Sequence, residues 1–367
     1  MATTRSLTSR LLRRDLARLE PYPAPQPLTE FAASVGVAPE DVAKLDQNEN
    51  PYGCSPKVRE ALGRFAWYHV YPDPEHRELR DRLAEYAGVS AESIVVGNGS
   101  DELIELLLHL LVEPGDRVVS ADPTFGYYST AAYAAGASYV TVPRGASFEV
   151  DVKAIAAAVD ERTKLVLIAS PNNPTGNATP IATIRRLLEL ETLIVVDEAY
   201  FEFAGRSAVE LFRTGPIENL IILRTFSKWA GLAGLRLGYG IFPPELVDPL
   251  LALKPPYSVG QAAEVAGIAS LDDLAYLQST VSRILAERER LNTGLAASGL
   301  FRTYPSDANF IFADLIGRSA AEVQRALAER AILVRRYSGR RLENSLRISV
   351  GRPEHTDRLL SAIEALR

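Results

Sequence analysis

The chain has 367 residues, 47% hydrophobic and 23% charged, which is enough for about two domains with their own cores. Its 40 basic and 46 acidic residues give a net charge of −6 spread along the sequence, which argues against a nucleic-acid partner. No apolar run approaches the roughly 18 residues that a membrane span needs. The single cysteine, Cys54, allows no internal disulfide, and four scattered histidines argue against a metal site. We therefore expect a soluble, cytoplasmic protein without a metal or membrane partner.

Residues 1–45 are predicted to form an N-terminal arm that packs with a small C-terminal domain. Residues 1–20 carry arginines and leucines at roughly helical spacing, which indicates a short amphipathic helix rather than a transit peptide. The following PYPAPQP (residues 21–27) is too rich in proline for a regular helix or a central strand.

Residues 46–265 alternate short apolar runs with helical periods, and they are predicted to form a large cofactor-binding domain. The runs lack the polar–apolar alternation of half-exposed strands, which indicates strands buried on both faces. The predicted fold class is α/β, with a mostly parallel sheet of a seven-stranded type and helices on both faces. The expected strands cover residues 93–97, 117–121, 139–143, 164–170, 192–198 and 220–225.

Residues 266–367 have a different pattern, which predicts a smaller α+β domain. A long helix over residues 271–298 is expected to lead into strands and helices in the order βαββα. The expected elements of this tail are a strand at 309–315, a helix at 320–330, strands at 332–336 and 345–351, and a closing helix.

Four unusual segments follow predicted strands, and ligands bind at the carboxyl ends of strands in an open α/β sheet. In GNGSDELIEL (97–106), Ser100 and Asp101 lie at a helix N-terminus, which attracts phosphate, although an ordinary capped turn would also explain them. In SPNNPTGN (170–177) the prolines and glycine fix the turn that holds Asn173. An asparagine-rich turn that satisfies its own backbone explains this second segment equally well.

The third segment, LIVVDEAYFEF (193–203), ends an apolar strand with Asp197, whose charge is costly there unless it is paired. An aspartate in this position can hold a buried cation such as a protonated pyridine nitrogen or a metal. No neighbouring cluster of carboxylates or histidines supports the metal. The phenol of Tyr200 could reach the same ligand.

The fourth segment, LRTFSKWAGLAGLRLGYG (223–240), contains Lys228 after a buried strand. A lysine in a dry pocket loses proton affinity and becomes a nucleophilic amine. Thr225 and Ser227 offer hydroxyls, and Arg236 offers a permanent charge, to a phosphate. Together the four segments indicate a phosphorylated, cationic heteroaromatic ligand that forms a Schiff base with lysine. Pyridoxal 5′-phosphate has these properties.

These segments resemble those of the fold-type I aminotransferases, and most closely those of the histidinol-phosphate aminotransferase family. The other matching stretches are KLDQNENPYG (44–53), YPDPE (71–75), DPTFGYY (122–128) and SLRISVG (345–351). The resemblance runs from the first fifth of the chain to near its end. It implies an aspartate aminotransferase-like fold and pyridoxal 5′-phosphate as cofactor.

The resemblance implies a role for each matching residue. Lys228 is expected to bind the cofactor aldehyde and to act as acid and base, and Asp197 to pair with the pyridine nitrogen. Asn173 and Tyr200 are expected to bind the phenolic oxygen, and Phe125 to stack on the ring. The expected phosphate-binding residues are Ser100, Asp101, Thr225, Ser227 and Arg236.

For the substrate, the resemblance points to Arg335 and Arg347 together with Asn173, and to Tyr22 and Tyr52 near a substrate phosphate. Guanidinium suits either carboxylate or phosphate, so these arginines do not decide the substrate. The resemblance also implies a homodimer in which Tyr52 reaches the active site of the other subunit. Neighbouring arginines are interpreted as a solvated face: Arg336, Arg340 and Arg341.

The leading hypothesis is transamination of L-histidinol phosphate with 2-oxoglutarate, giving imidazole acetol phosphate and glutamate. An aminotransferase for aromatic amino acids is the nearest alternative, and a lyase of the threonine-phosphate decarboxylase type is a more distant one. An effector module of a transcription regulator would need a DNA-binding domain before KLDQNENPYG. The segment ahead of that motif is too short and too rich in proline for such a domain.

Overall fold

The computed structural model describes residues 6–13, 26–215, 217–339 and 341–366. The strands in these ranges are β1 (Ala43–Leu45), β2 (Ile94–Asn98), β3 (Arg117–Asp122), β4 (Ser138–Pro143), β5 (Thr163–Ala169), β6 (Leu193–Asp197), β7 (Leu220–Thr225), β8 (Leu237–Ile241), β9 (Phe301–Thr303), β10 (Phe310–Leu315), β11 (Ile332–Arg336) and β12 (Ser345–Ser349). The α-helices are α1 (Leu7–Leu11), α2 (Leu28–Val35), α3 (Pro56–Arg64), α4 (Arg77–Ala87), α5 (Gly99–Leu111), α6 (Tyr127–Ala135), α7 (Val152–Ala158), α8 (Ile181–Leu187), α9 (Phe201–Ala204), α10 (Pro244–Leu253), α11 (Gln261–Leu271), α12 (Leu274–Ala297), α13 (Ala320–Ala328) and α14 (Pro353–Glu364). None of the described helices is long and apolar enough to cross a bilayer.

A seven-stranded sheet in the described chain has the order β2-β8-β7-β6-β5-β3-β4. The strands β4, β3, β5, β6 and β7 run parallel to one another, whereas β8 runs antiparallel to both of its neighbours, β2 and β7. The predicted fold class, with a mostly parallel sheet of seven-stranded type, is therefore confirmed.

The strand β6 shows why the apolar runs lack alternation. Ile194 and Val196 belong to the core on one face of the sheet, and Val195 belongs to the core on the other. All three side chains are fully buried. Successive residues of a strand point to opposite faces, so a continuous apolar run is needed when helices cover both sides.

A second, five-stranded sheet has the order β1-β11-β12-β10-β9 in the described chain. β1, from the end of the predicted arm, pairs in parallel with β11. Before it, Phe31 of α2 packs in one cluster with Ala331. Farther towards the N-terminus, the guanidinium of Arg13 instead donates to the carbonyl of Ala134 in α6 at 3.0 Å. The division into an arm, a large domain and a small domain remains a prediction.

Three of the described strands, β1, β8 and β9, lie outside the expected strand ranges. β8 was not predicted, because Gly238 and Gly240 disfavour a strand. Gly238 is nevertheless required there, since a Cβ atom would meet the backbone nitrogen of Ser100 at 2.5 Å. The long helix expected over residues 271–298 is confirmed as α12, and a break at residues 272–273 separates it from α11, which precedes it. The carboxylate of Asp273 accepts a hydrogen bond from Ser55, which ties this break to the start of α3.

The turn after β7, which carries Lys228, is fixed against the 53–54 backbone. Gly231 in this turn has φ +68, a left-handed conformation that L side chains adopt at a cost. A Cβ atom at Gly231 would lie 2.4 Å from the carbonyl carbon and oxygen of Gly53. The contact is with backbone, so neither side can move away cheaply.

Gly231→Ala is expected to destabilise the protein more than Gly299→Ala, by at least about 1 kcal/mol. Gly299 is the matched control, because its φ is +73 and nothing lies within 4 Å of its would-be Cβ. Both variants carry the strain of a left-handed alanine, so the difference isolates the clash with Gly53. Urea unfolding of the two apoproteins measures it, and equal losses of stability would contradict the packing described.

Candidate active site

Three of the predicted segments meet at one edge of the seven-stranded sheet. Asn173 follows β5, Asp197 ends β6, and Lys228 follows β7. These strands are parallel neighbours, so their carboxyl ends lie side by side, where open α/β sheets bind ligands.

Asp197 is a buried carboxyl, 6% exposed. Its Oδ2 accepts a hydrogen bond from the hydroxyl of Tyr128 at 2.6 Å, and its Oδ1 accepts one from the backbone N–H of Ala199 at 3.1 Å. Burial raises the pKa of Asp197 to about 6, and these hydrogen bonds limit the rise. The carboxyl group is therefore an anion at neutral pH, and its charge would stabilise a cationic ligand bound beside it.

Tyr128 is a further site residue, beyond those predicted from the sequence. It stands three positions after Phe125 in DPTFGYY, about one helical turn away. The two rings meet edge to face with centroids 5.5 Å apart. Phe125 is therefore linked to Asp197 through one intervening side chain, and the motif itself was the available signal.

The adjacent acid, Glu198, is neutralised within the protein. Its Oε2 accepts hydrogen bonds from Nε of Arg224 at 3.0 Å and from the Ser207 hydroxyl at 2.7 Å. Both Glu198 and Arg224 are about 2% exposed. Because Glu198 already has this partner, Asp197 is the acid of the pair that is available to a ligand.

Lys228 lies in a partly exposed position with its Nζ donating to the carbonyl of Gln47 at 3.2 Å. Burial of the amine, together with the positive charge of Arg347, lowers the pKa of Lys228 to about 8. Glu49 and Asp101 act in the opposite sense. A large fraction of the amine is therefore neutral and nucleophilic near pH 8.

The start of α5 forms a cradle for an anion. Gly99 has φ +76, and a Cβ atom there would meet the guanidinium of Arg236 at 2.7 Å. Nη2 of Arg236 donates to Oδ2 of Asp101 at 2.9 Å. Ser100 lies in the first turn of α5 behind this pair, where free backbone N–H groups favour negative charge.

Two hydroxyls complete this cradle. Thr225 Oγ1 donates to Ser227 Oγ at 2.9 Å and accepts from the backbone N–H of Ser227 at 3.1 Å. Thr225 pairs with Gly238 across β7 and β8, and Gly238 packs on Ser100. The five predicted phosphate-binding residues thus lie in one connected group.

The amide of Asn173 is oriented by its neighbours. Its Oδ1 accepts hydrogen bonds from Nη1 of Arg347 at 2.6 Å and from the Tyr337 hydroxyl at 3.3 Å. The NH2 group is therefore the part left to donate to a ligand. Arg347 also donates from Nη2 to the carbonyl of Asp46 at 2.5 Å, which holds the guanidinium in place.

Tyr200 is buried, and its hydroxyl oxygen accepts from Nδ2 of Asn48 at 3.0 Å. Burial raises the pKa of Tyr200 to about 12, although the charge of Arg347 opposes the rise. The phenol keeps its proton at neutral pH and can donate it in a hydrogen bond. Asn48 was not identified from the sequence, although it lies within the KLDQNENPYG motif.

Arg335 and Arg347 stand directly opposite each other on β11 and β12. The ring of Tyr337 lies near both, with its centroid 5.9 Å and 5.7 Å from their guanidinium carbons. Like charges in this arrangement repel, and Nε of Arg347 is buried without a hydrogen-bond partner among the described residues. A bound anion would offset both costs.

The remaining predicted residues are not brought into this group. Tyr52 lies under the guanidinium of Arg283, 3.8 Å from the ring centroid, with Arg352 at 5.6 Å. Tyr22 and Arg340 lie outside the described residues. In the described part of the chain, no three His, Cys, Asp or Glu side chains gather as a metal site.

Arg341 differs from its interpretation as part of a solvated face. The residue is exposed, but its Nη1 donates to the carbonyls of Arg144 and Gly145 at 2.7 and 3.0 Å. Its guanidinium also lies 4.5 Å from the ring centroid of Phe148. Arg341 therefore ties the loop between β11 and β12 to the segment that follows β4.

Comparison with known proteins shows which family and which fold this chain shares. The chain is 47% identical to the histidinol-phosphate aminotransferase of Roseiflexus castenholzii, over 96% of this chain and 97% of that protein. The crystal structure of histidinol-phosphate aminotransferase from Sinorhizobium meliloti in complex with pyridoxal 5′-phosphate has a TM-score of 0.87 at 29% identity, covering 97% of this chain and 98% of that one.

An aspartate aminotransferase from Thermotoga maritima shares the fold, with a TM-score of 0.83 at 23% identity, covering 97% of this chain and 99% of that one. The predicted aspartate aminotransferase-like fold is thereby confirmed. The sequence model of the aminotransferase class I and II family matches residues 40–363. The chain belongs to the class I and II aminotransferases.

Proposed function

We propose that this chain transfers the amino group of L-histidinol phosphate to 2-oxoglutarate, giving imidazole acetol phosphate and glutamate in histidine biosynthesis, with pyridoxal 5′-phosphate as cofactor. The observation that carries the proposal is one site that combines a lysine of lowered pKa, a buried aspartate and an anion cradle. The 47% identity to a histidinol-phosphate aminotransferase over nearly the whole chain supports the substrate.

The residues of the site fit this cofactor group by group. The cradle of α5, Thr225, Ser227 and Arg236 suits its phosphate, and the anion Asp197 suits a protonated ring nitrogen. The NH2 group of Asn173 and the protonated phenol of Tyr200 are both donors, as a phenolate oxygen requires. When bound, pyridoxal 5′-phosphate supplies an aldehyde that condenses with amines and a ring that withdraws electrons from the substrate carbon.

The side chains of this chain supply proton transfer and charge. Lys228 would hold the cofactor, and its Nζ, once released by the substrate, would remove the proton from the substrate carbon that bears the amino group. Its pKa of about 8 makes both protonation states accessible near neutral pH. Asp197 would favour a proton on the ring nitrogen, and Phe125 would offer its apolar face to the ring.

Arg335 and Arg347 are the proposed substrate-phosphate residues. Two guanidiniums opposite each other on one sheet face match a dianion better than a single carboxylate charge. In this proposal Tyr22 and Tyr52 also approach the substrate phosphate.

A homodimer in the cytoplasm is part of this proposal. Large aromatic side chains are exposed in one stretch of sequence, with Trp67 61%, Tyr68 50% and Tyr71 74% accessible. Tyr71 stacks on Tyr257, itself 45% accessible, with ring centroids 4.3 Å apart. Exposed aromatic surface of this kind supports association with a second copy, in which Tyr52 would reach the other subunit's site.

The substrate assignment is tested by a single half-reaction. Cofactor-loaded enzyme is mixed with histidinol phosphate in the absence of a 2-oxo acid, and the visible absorption of the lysine-bound cofactor is followed. We expect this absorption to disappear at least about tenfold faster than with phenylalanine or tyrosine, because only histidinol phosphate engages both arginines. Faster conversion by phenylalanine would assign an aromatic aminotransferase, and no conversion by any donor would favour the lyase.

Lys228→Ala is expected to lower transamination by more than about 10³-fold, because the variant lacks the group that moves the substrate proton. The exposed Lys153→Ala is the control for loss of a lysine charge. Lys228→Ala should still retain cofactor through the phosphate cradle. Cofactor absorbance that co-elutes with the protein in gel filtration measures this retention. Full activity of Lys228→Ala would refute the assigned role.

Asp197→Asn separates stability from cofactor binding. Burial raises the pKa of Asp197 from 3.8 to about 6, so the folded protein is destabilised as the pH rises through this range. At pH 8 the buried charge costs about 3 kcal/mol. Asparagine removes the charge and can still accept from Tyr128 through its one oxygen, although it loses the bond from the Ala199 N–H. The apoprotein is therefore expected to regain part of this free energy, while cofactor affinity falls at least about tenfold.

Urea unfolding at pH 8 and equilibrium titration with cofactor measure these two effects. The exposed Asp81→Asn serves as control for loss of one carboxylate. Unchanged cofactor affinity in Asp197→Asn would show that this carboxylate does not pair with the ring nitrogen.

A further inference from the structure

A cavity of about 260 Å³ opens between α4, α9 and α12, outside the group of predicted site residues. Its walls come from elements that are distant in the sequence, and its mouth is partly open. The residues that line it include Tyr86, Phe201, Glu202 and Trp229. Drug-sized ligands occupy pockets of about 300–1,000 Å³, so this cavity suits a smaller molecule.

The walls of the cavity are largely aromatic. The rings of Tyr86 and Trp229 are stacked almost parallel, at 2° and 5.5 Å between centroids. Phe201 stands at 58° to Tyr86 with its centroid 6.5 Å away. Aromatic faces attract organic cations, and flat ones gain stacking contacts as well.

Glu202 brings a carboxyl group to these walls. Its Oε2 is buried and has no hydrogen-bond partner among the described residues. Burial raises the pKa of Glu202 well above its ordinary value, and the charge of Glu198 adds to the rise. A buried acceptor without a partner costs free energy, and neither the fold nor the proposed reaction uses this group.

The nearby cations do not serve as its partner. The guanidinium carbon of Arg224 lies 3.7 Å from the Phe201 ring centroid. However, its Nη2 pairs with Oε2 of Glu198 at 3.0 Å and donates to Oγ of Ser207 at 2.7 Å. Arg206, at the edge of the cavity, pairs with Asp307 at 2.9 Å. Each of these cations already has an anion, so an added cation together with ionised Glu202 would keep the local charge balanced.

We propose that this cavity is a binding site for a small, flat organic cation of the amidinium, guanidinium or imidazolium type. The N–H groups of the ligand donate to the carboxylate of Glu202, which supplies the partner that its buried oxygen lacks. The ligand's plane lies against the aromatic walls. Trp229 is the residue after Lys228, so an occupant would contact the turn that carries the proposed catalytic lysine.

Benzamidine and benzamide provide the test, because they have nearly the same shape and differ in charge. Isothermal titration of the cofactor-loaded enzyme at pH 7.5 is expected to show benzamidine binding at least about tenfold more tightly than benzamide. Neither compound carries an alkyl amine that would condense with the cofactor. This comparison uses the unaltered protein and does not depend on the folding of any variant.

Glu202→Gln is expected to lose at least about tenfold in benzamidine affinity, because it keeps the shape of the cavity and removes the charge. Glu189→Gln, at an exposed position on the loop after α8, is the matched control and should bind as the unaltered protein does. Equal affinity for the two compounds, unchanged binding by Glu202→Gln, or no binding up to about 10 mM would each overturn the proposal.

Discussion

A carboxylate buried at the carboxyl end of β6 is the constraint on which the site depends. Hydrogen bonds from Tyr128 and from the Ala199 backbone oppose the rise that burial causes in the pKa of Asp197, and those bonds require α6 and the turn after β6 to lie where they do. A cationic ring that pairs with this charge must then place its other substituents near Lys228 and the start of α5. The position of Asp197 thus limits which side chains can stand at the carboxyl ends of the neighbouring strands.

The segment 197–202 contains three buried acidic groups, and each has different bonding partners. Asp197 faces the site, Glu198 is neutralised by Arg224, and Glu202 keeps an oxygen without a partner. Strand alternation separates the first two, and the short helix α9 carries the third away from both. Neighbouring acids therefore serve separate chemistry because the backbone turns between them, even though in sequence they look like one acidic motif.

Much of the fold and of the cofactor site could be predicted because its signals are local. Runs such as LIVVD predict strands buried on both faces, and motif residues such as Lys228 stand where such strands end. Tyr128 and Asn48 were missed because their roles come from contacts across 69 and 152 positions of sequence. β8 was missed because Gly238 is required by packing against Ser100 and Gly240 by packing against Phe242, which local propensity does not report.

The pairing of Arg335 with Arg347 also limits how the connection between β11 and β12 can change in length. Adjacent residues of a strand point to opposite faces, so a slip of one position would turn one guanidinium away from the other. The connection is further held by Tyr337 on Asn173 and by Arg341 on the carbonyls after β4. We therefore expect related chains that keep the arginine pair to differ in the sequence of this connection. The register between β11 and β12 should change far less readily.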